Sequence, residues 1–477
     1  MIRNCLTLAD HNYEPMASMH DPLRPVVVRS QRFRHALYVA LIFALGLLVS
    51  TAVPPFQSPD EFEHITRAAL LGNGDIVLSA PAGQSSGGMI DSGLARYMET
   101  YSVLPFHPDK KLSSQDITES TSIRWSGVKE FRPALGMAYY FPAIYAIHTL
   151  GLKLGEWLDL SVDASYKLCR ILLLIAICVI LFCSFELYPP PAVVLALLIV
   201  PMSLFQLASA SLDAIATAIS IFMISVFLSG NRANRSISAS LFYLMIGAWL
   251  LVASSRLQLF PMILLPLVIG YAKKRYLYIF MSGVAALAVI GWQVVILKTI
   301  VDGRVSLGAS SGEILIFYLS DPSKLIQVLS ATLTNTSLLK GYFSSFFGVL
   351  GWLDTPFKGA EYKYLFIATV LLAVLSVDYK GISTHLASRI TLLLSSLGAV
   401  ATIFLAMLVT WTPHPAIYID GVQGRYFLIP ALMMSYALSG DSYGIGRTHI
   451  QRLSHAALLL FALYSVTITL NLLTDRY

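Results

Sequence analysis

The feature that most constrains this chain is the recurrence of apolar runs of about 20 residues, separated by short charged loops. Such a run spans the hydrocarbon of a bilayer as a helix. Inside hydrocarbon a backbone satisfies its polar groups only as a helix or a closed barrel. Of the 477 residues, 56% are hydrophobic and only 13% are charged. A soluble domain carries about 25% charged residues. The expected fold class is therefore all-α, a polytopic membrane protein. Runs at 36–53, 167–187, 191–208, 211–229, 237–254, 257–272, 276–298, 363–378, 389–410, 425–439 and 454–473 predict about eleven spans.

Orientation follows from the placement of Lys and Arg, which favour cytoplasmic loops. The segment 1–35, with Arg24, Arg29, Arg32 and Arg34, reads as a cytoplasmic tail, and 36–53 as an uncleaved first span. Arg232 and Arg235, Lys273 to Arg275, Lys380 and Arg389, and Arg447 and Arg452 then fall on the same side. Residues 36–473 form the membrane domain, and 474–477 a short tail on the outer side. Two loops are long, 54–166 and 299–362, and both are expected to be extracytoplasmic.

In the first loop, Ser79 to Gly93 is rich in Gly and Ser and predicts irregular structure. Met137 to Leu154 is apolar, aromatic and interrupted by Pro142, which predicts an interfacial or re-entrant helix. In the second, Asp321-Pro322 predicts the start of an amphipathic helix, and Tyr342 to Trp352 an aromatic stretch at headgroup level. Cys5, Cys169, Cys178 and Cys183 match no disulfide framework or metal motif. The net charge of +6 sits in orientation signals, and no nucleic-acid motif accompanies it.

Charge is scarce, so its clusters stand out. Immediately after the first span come Asp60, Glu61, Glu63, His64 and Arg67. Ser58 as cap, Pro59 at the first helical position and Glu61 as the capping-box acid predict a helix over 59–71. At 100° per residue Asp60, Glu63, His64 and Arg67 share one face. A plain amphipathic surface helix accounts for Glu61. It accounts less well for two acids, a histidine and an arginine converging beside a membrane, where charge is costly. Asp60 is the leading candidate.

Asp213, in Ser209-Ala-Ser211-Leu-Asp213, lies at the tip of a short hairpin on the same side. It reads either as a helix start or, with Asp60, as a carboxylate pair able to hold a divalent cation such as Mg or Mn. Arg425 enters the tenth span from outside in Asp420-Gly-Val-Gln-Gly-Arg425-Tyr426. A guanidinium there opposes both the helix dipole and the orientation trend, and suits a phosphate group. A snorkelling interfacial arginine is the ordinary alternative. Lys167, Arg170 and Arg256 are further cations against the trend.

The motifs Pro54-Pro-Phe-Gln-Ser-Pro-Asp60-Glu61…His64…Arg67 and Gly421-Val-Gln-Gly-Arg425-Tyr426 resemble those of a bacterial family of multi-span membrane proteins, which looks like the C-type (GT-C) glycosyltransferase superfamily. The resemblance covers about 36–473. It implies a GT-C-like fold, transfer outside the cytoplasm, a polyprenyl-phosphate-linked sugar donor and no nucleotide. It places Asp60 with Glu61 at the family's acidic position in the first outer loop. Asp213 falls where some members carry a second acidic motif for metal. The first loop has Asp-Glu-Phe-Glu in place of DxD, a departure that bears on metal dependence.

The expected function is an inverting glycosyltransferase of the bacterial inner membrane, with its active site facing the periplasm or exterior. It would pass a sugar to a surface glycan or lipid-linked oligosaccharide. Asp60 would be the general base, with Glu61, Glu63 and His64 beside it. Arg425, Tyr426, Arg256, Arg170, Lys167 and Arg67 would bind the lipid phosphate. The alternatives are a flippase or transporter of lipid-linked sugars, and a polysaccharide polymerase.

Overall fold

The computed structural model describes residues 24–231, 237–304, 307–377, 385–439 and 448–477. Arg232, Arg235, Lys380 and Arg447, used above for orientation, lie outside them, as does Cys5. The described chain is mainly helical, with two small two-stranded sheets.

Among the described residues, seven helices are long and apolar enough to cross a membrane: Gln31–Ala52, Val162–Leu187, Leu212–Gly230, Tyr276–Thr299, Gly359–Ser376, Leu386–Thr410 and His449–Arg476. The other four expected spans are shorter or broken. The run 191–208 divides into Ala192–Ile199 and Pro201–Leu207, because Pro201 has no amide hydrogen to continue the ladder. Ala239–Ala253 has 15 residues, about 22 Å of helix. The segment 257–272 begins as a 3₁₀ helix holding Pro261, and 425–439 begins as a 3₁₀ turn, Gly424–Phe427. The first helix extends back to Arg24 and the last forward to Arg476, so both take in part of the segments read as tails.

Apolar packing joins the helices into one large core. Leu212–Gly230 is nearly enclosed, whereas Tyr276–Thr299 and Gly359–Ser376 keep most of their surface outward, as lipid-facing helices do. The second long loop, 299–362, starts its own smaller core. Helices Ser311–Ser320 and Pro322–Thr334 lay Ile314, Tyr318 and Val328 against Ile403, Phe404 and Leu408 of Leu386–Thr410. Asp321 caps Pro322–Thr334 as expected, accepting from the Ser323 amide at 3.2 Å.

The first long loop is more ordered than its composition predicts. Gly87–Asp91 pairs antiparallel with Lys129–Pro133, inside the stretch expected to be irregular. The Met137 to Leu154 segment becomes two short 3₁₀ turns and the helix Ala146–Trp157. That helix packs on Val162–Leu187 through Gly151 and Gly155. A Cβ at Gly151 would stand 2.5 Å from the Cys169 Cα, and one at Gly155 2.1 Å from the Ser165 Oγ. The four-residue spacing of two glycines lets the two backbones approach. Cys169, Cys178 and Cys183 are buried.

Candidate functional site

The acidic segment folds as the helix Glu61–Gly72, with Asp60 at its N-cap. Half of the expected capping box forms: the Glu61 carboxylate accepts from the Ser58 amide at 3.1 Å. Ser58 itself does not cap, and its buried hydroxyl has no partner. A tight turn places Glu61 N on Ser58 O at 3.1 Å and delays the helix by two residues. Asp60 sits in the left-handed region, φ 63° and ψ 10°, and makes no side-chain cap. An N-cap is ordinarily extended. A non-glycine residue in this region carries strain of order 1–3 kcal/mol, of a kind that gathers at functional sites.

The Asp60 carboxylate turns instead to Arg425, whose Nη2 donates to Asp60 Oδ2 at 2.8 Å. Arg425 Nη1 donates to Asp213 Oδ2 at 3.1 Å, and its Nε to Gln423 Oε1 at 2.6 Å. Asp213 is held on its other oxygen by Arg256, and Gln206 donates to Oδ2 at 2.8 Å. Arg256 lies over the Tyr140 ring, 5.4 Å to the centroid, and Arg425 over Tyr426 at the same distance. Two acids and two arginines thus alternate in one chain, Asp60–Arg425–Asp213–Arg256. The Arg425 side chain is 2% exposed and that of Asp60 29%. Asp60 is therefore the member within reach of an incoming group.

The chain comes from four places in the fold. The turn after the first span carries Asp60. The first turn of Leu212–Gly230 supplies Asp213, and the turn after Ala239–Ala253 supplies Arg256. The 3₁₀ turn Gly424–Phe427 supplies Arg425. Buried charges of opposite sign are tolerated when ionic partners and hydrogen bonds compensate them; each member of this chain has such a partner, although the buried Arg256 Nε has none.

Charge and burial set the neighbours. Burial pushes the Asp60 carboxyl up, but the charge and hydrogen bond of Arg425, together with the charges of His64 and Arg256, hold the group below the usual carboxylate range. Glu63, one turn on, is pushed up to about 7, first by burial and then by the charge of Asp60. Its buried Oε2 has no hydrogen-bond partner. Burial pushes His64 down to about 3, against the pull of Asp60, and keeps the ring neutral. Its Nδ1 stands 2.9 Å from the Tyr145 hydroxyl.

Four candidates have other work. Glu61 is fully buried and takes the Tyr166 hydroxyl and the Ala210 amide, each at 2.6 Å, and Arg170 at 3.4 Å. Arg170 also donates to the Val53 and Pro54 carbonyls at 3.0 and 3.1 Å. This pair ties the first loop to the second span and to the turn before Leu212–Gly230. Arg67 is spent on the carbonyls of Asp75 and Ile76, at 2.8 and 2.6 Å. Lys167 pairs with Asp163 at 2.8 Å and is 59% exposed. Neither Arg67 nor Lys167 joins the Asp60–Arg425 chain; both serve local structure.

The divalent-cation reading of Asp60 and Asp213 does not fit this donor set. The two carboxylates do converge, but on the Arg425 guanidinium, which already supplies the positive charge between them. Among the described residues, no group of three or more His, Cys, Asp or Glu could hold a metal.

Sequence reasoning missed Asp302 and Arg304, from the start of the second long loop. Arg304 makes a two-pronged contact with Asp302, Nε to Oδ1 at 3.0 Å and Nη2 to Oδ2 at 2.7 Å. Its charge reaches Asp60 and Glu63. The signal was available: Asp302-Gly303-Arg304 is a charge pair at a span exit, as Asp60 to Arg67 is.

Fold and site together define a mainly helical, multi-pass membrane protein whose buried charges converge where two large loops meet one end of its helices. The chain belongs to the family described as "Predicted membrane protein (DUF2142)", whose model matches residues 43–434. No curated protein and no solved structure matches the chain.

Proposed function

We propose that this protein is an inverting glycosyltransferase that takes a sugar from a polyprenyl phosphate at the outer face of the bacterial inner membrane. The observation that carries the reading is the convergence of Asp60, Arg425, Asp213 and Arg256, with Asp60 partly open and both guanidinia buried. A group-transfer site of this kind needs a base for the acceptor hydroxyl and cations for the leaving phosphate.

In this reading the acceptor oxygen attacks the anomeric carbon as the bond from that carbon to the phosphate oxygen breaks. The hydroxyl proton passes to the Asp60 carboxylate. The polyprenyl phosphate leaves with the bonding electrons, and Arg425 and Arg256 stabilise its added negative charge. Asp60 is bound to Arg425 in the free protein. A phosphate that takes over this guanidinium releases Asp60 and makes it a stronger base. His64, neutral and fixed by Tyr145, helps to orient the acceptor.

A lipid-sugar transporter would need ionisable groups along a path across the bilayer. Among the described residues, buried ionisable groups of the bundle gather at its two ends: Glu61, Arg170, Arg256 and Arg425, with the part-buried Asp213, at one, His35 and Glu186 at the other. That distribution favours the transferase.

The test is transfer by the purified protein, given a panel of polyprenyl-phosphate sugars and extracted acceptors, with Asp60→Asn alongside. Release of polyprenyl phosphate by the wild type and not by the variant supports the reading. Equal release by both, or binding of the lipid without turnover, overturns it.

A further inference from the structure

The two outer loops are stapled together at one place. The Ser86 amide donates to the Val301 carbonyl at 2.8 Å, the Val301 amide to Ser86 Oγ at 3.0 Å, and the Gly303 amide to Ser85 Oγ at 3.0 Å. Beside these bonds lies an open groove of about 660 Å³, bounded by residues 80–85 on one side and Val301, Gly303 and Arg304 on the other. That volume lies within the range of small-molecule sites, about 300–1,000 Å³. Its walls are short side chains and backbone, held in place by the staple.

Arg304 is fixed within this frame. Asp302 grips one edge of its guanidinium and is itself held by the Gly136 amide at 2.9 Å. A Cβ at Gly136 would stand 2.3 Å from Arg304 Nη2, so the guanidinium rests directly on that backbone. Its face lies over the Trp411 ring, 4.9 Å to the centroid. The side chain is 29% exposed, and its charge reaches Asp60 and Glu63. Arg304 thus lines the groove, and its charge acts on Asp60.

We propose that this groove receives the hydroxyl-rich end of a glycan acceptor from the water side, with Arg304 as the cation that recognises it. The inference rests on the transferase reading for the fate of the acceptor. Binding in the groove can be measured without transfer. A polyhydroxylated chain suits an open, stapled groove with a pre-set guanidinium, whose donor edge hydrogen-bonds hydroxyl or carboxylate oxygens. A lipid-borne phosphate arriving through the bilayer would instead meet Arg425 and Arg256.

The experiment is binding of fluorescently labelled, nanodisc-reconstituted protein to an array of soluble oligosaccharides. Four proteins are compared: wild type, Asp60→Asn, Arg304→Gln and Gln84→Trp. Gln84 is exposed and lines the groove, so its replacement obstructs the groove without touching the buried core. The expected result is binding of a subset of glycans by wild type and Asp60→Asn, weakened at least about tenfold in both groove variants, the effect of about 1.4 kcal/mol. No glycan bound by the wild type overturns the proposal, as does binding unchanged in both groove variants. Farnesyl phosphate, a short polyprenyl phosphate, is titrated in parallel. Glycan binding without farnesyl phosphate binding keeps the groove and removes the transferase reading. Farnesyl phosphate binding without glycan binding removes the groove alone.

Discussion

Asp60 and Arg425 stand 365 positions apart in the chain and meet at 2.8 Å. The contact joins the turn after the first span to the 3₁₀ turn that opens one of the last helices. Each residue pays locally for it. Asp60 adopts a left-handed backbone and leaves its own helix without a side-chain cap, and Arg425 is withdrawn almost wholly from solvent. The pair is also in competition with any anion that seeks Arg425.

That competition gives the first prediction. Asp60→Asn removes the carboxylate and leaves the guanidinium for a ligand. Farnesyl phosphate should bind the variant more tightly than wild type, by roughly tenfold or about 1.4 kcal/mol, although transfer is lost. Isothermal titration measures it. Weaker binding by the variant would mean that Asp60 helps to hold the lipid rather than competing with it.

Arg425 answers to two acids at once. Arg425→Ala leaves Asp60 and Asp213 facing each other with one cation fewer, and should cost about 3–5 kcal/mol, the loss seen when one partner of a buried pair is removed. Arg425→Lys should recover only part, since an ammonium lacks the fork that reaches both carboxylates. Adding Asp60→Asn to Arg425→Ala should restore stability. Thermal unfolding in one detergent compares all four proteins, and equal melting temperatures would contradict the ion-pair chain.

Glu61 and Asp60 are neighbours with opposite duties. Glu61 is fully buried among Tyr166, Ala210, Ser58 and Arg170. Glu61→Ala strands Arg170 and should destabilise by about 3–5 kcal/mol. Asp60→Asn, at a partly exposed position, should shift the melting point far less. Similar shifts in the two variants would erase the distinction between a structural acid and a reacting one.

The pH dependence of stability should show two opposed slopes. Glu63 titrates at about 7 in the folded protein, above its ordinary 4.5. Its contribution is complete below about 4.5 and is lost as pH rises through 7. His64 titrates at about 3 when folded, below its ordinary 6.5. Its contribution is complete above about 6.5 and is lost as pH falls toward 3. Glu63→Gln should flatten the decline between about pH 4.5 and 7 and leave the acid limb in place. Melting temperatures taken across pH 3 to 8 give both slopes. A Glu63→Gln profile that follows wild type would refute the assignment.

Much of the membrane architecture was legible because hydrocarbon imposes one length and one hydrogen-bonding solution. Every apolar run read as a span holds helix, and the seven long ones emerge clearly. Broken segments were not legible as such, since hydropathy does not register that Pro201 divides a run or that 257–272 starts as 3₁₀. In the site, scarcity of charge pointed to Asp60, Asp213, Arg256 and Arg425, and the structure brings these four together. Scarcity could not separate a reacting group from a keystone. Glu61, Arg170 and Arg67 carry the same charges but are used up on tyrosine, amide and carbonyl partners that only tertiary contact supplies. Arg304 lay unread because its loop had been taken for its aromatics.

Gly424, the residue before Arg425, is pressed against the helix Thr336–Phe347 of the second long loop. A Cβ there would stand 2.0 Å from the Tyr342 carbonyl oxygen and 2.2 Å from the Phe346 nitrogen. The Gly424 amide also donates to Ser345 Oγ at 2.7 Å. No side chain cushions the junction, so backbone rests on backbone. The same helix turns Leu339 and Phe343 outward, 41% and 39% exposed. A shift of this helix would therefore carry with it the turn that aims the guanidinium, with apolar side chains at one end of the lever and two carboxylates at the other.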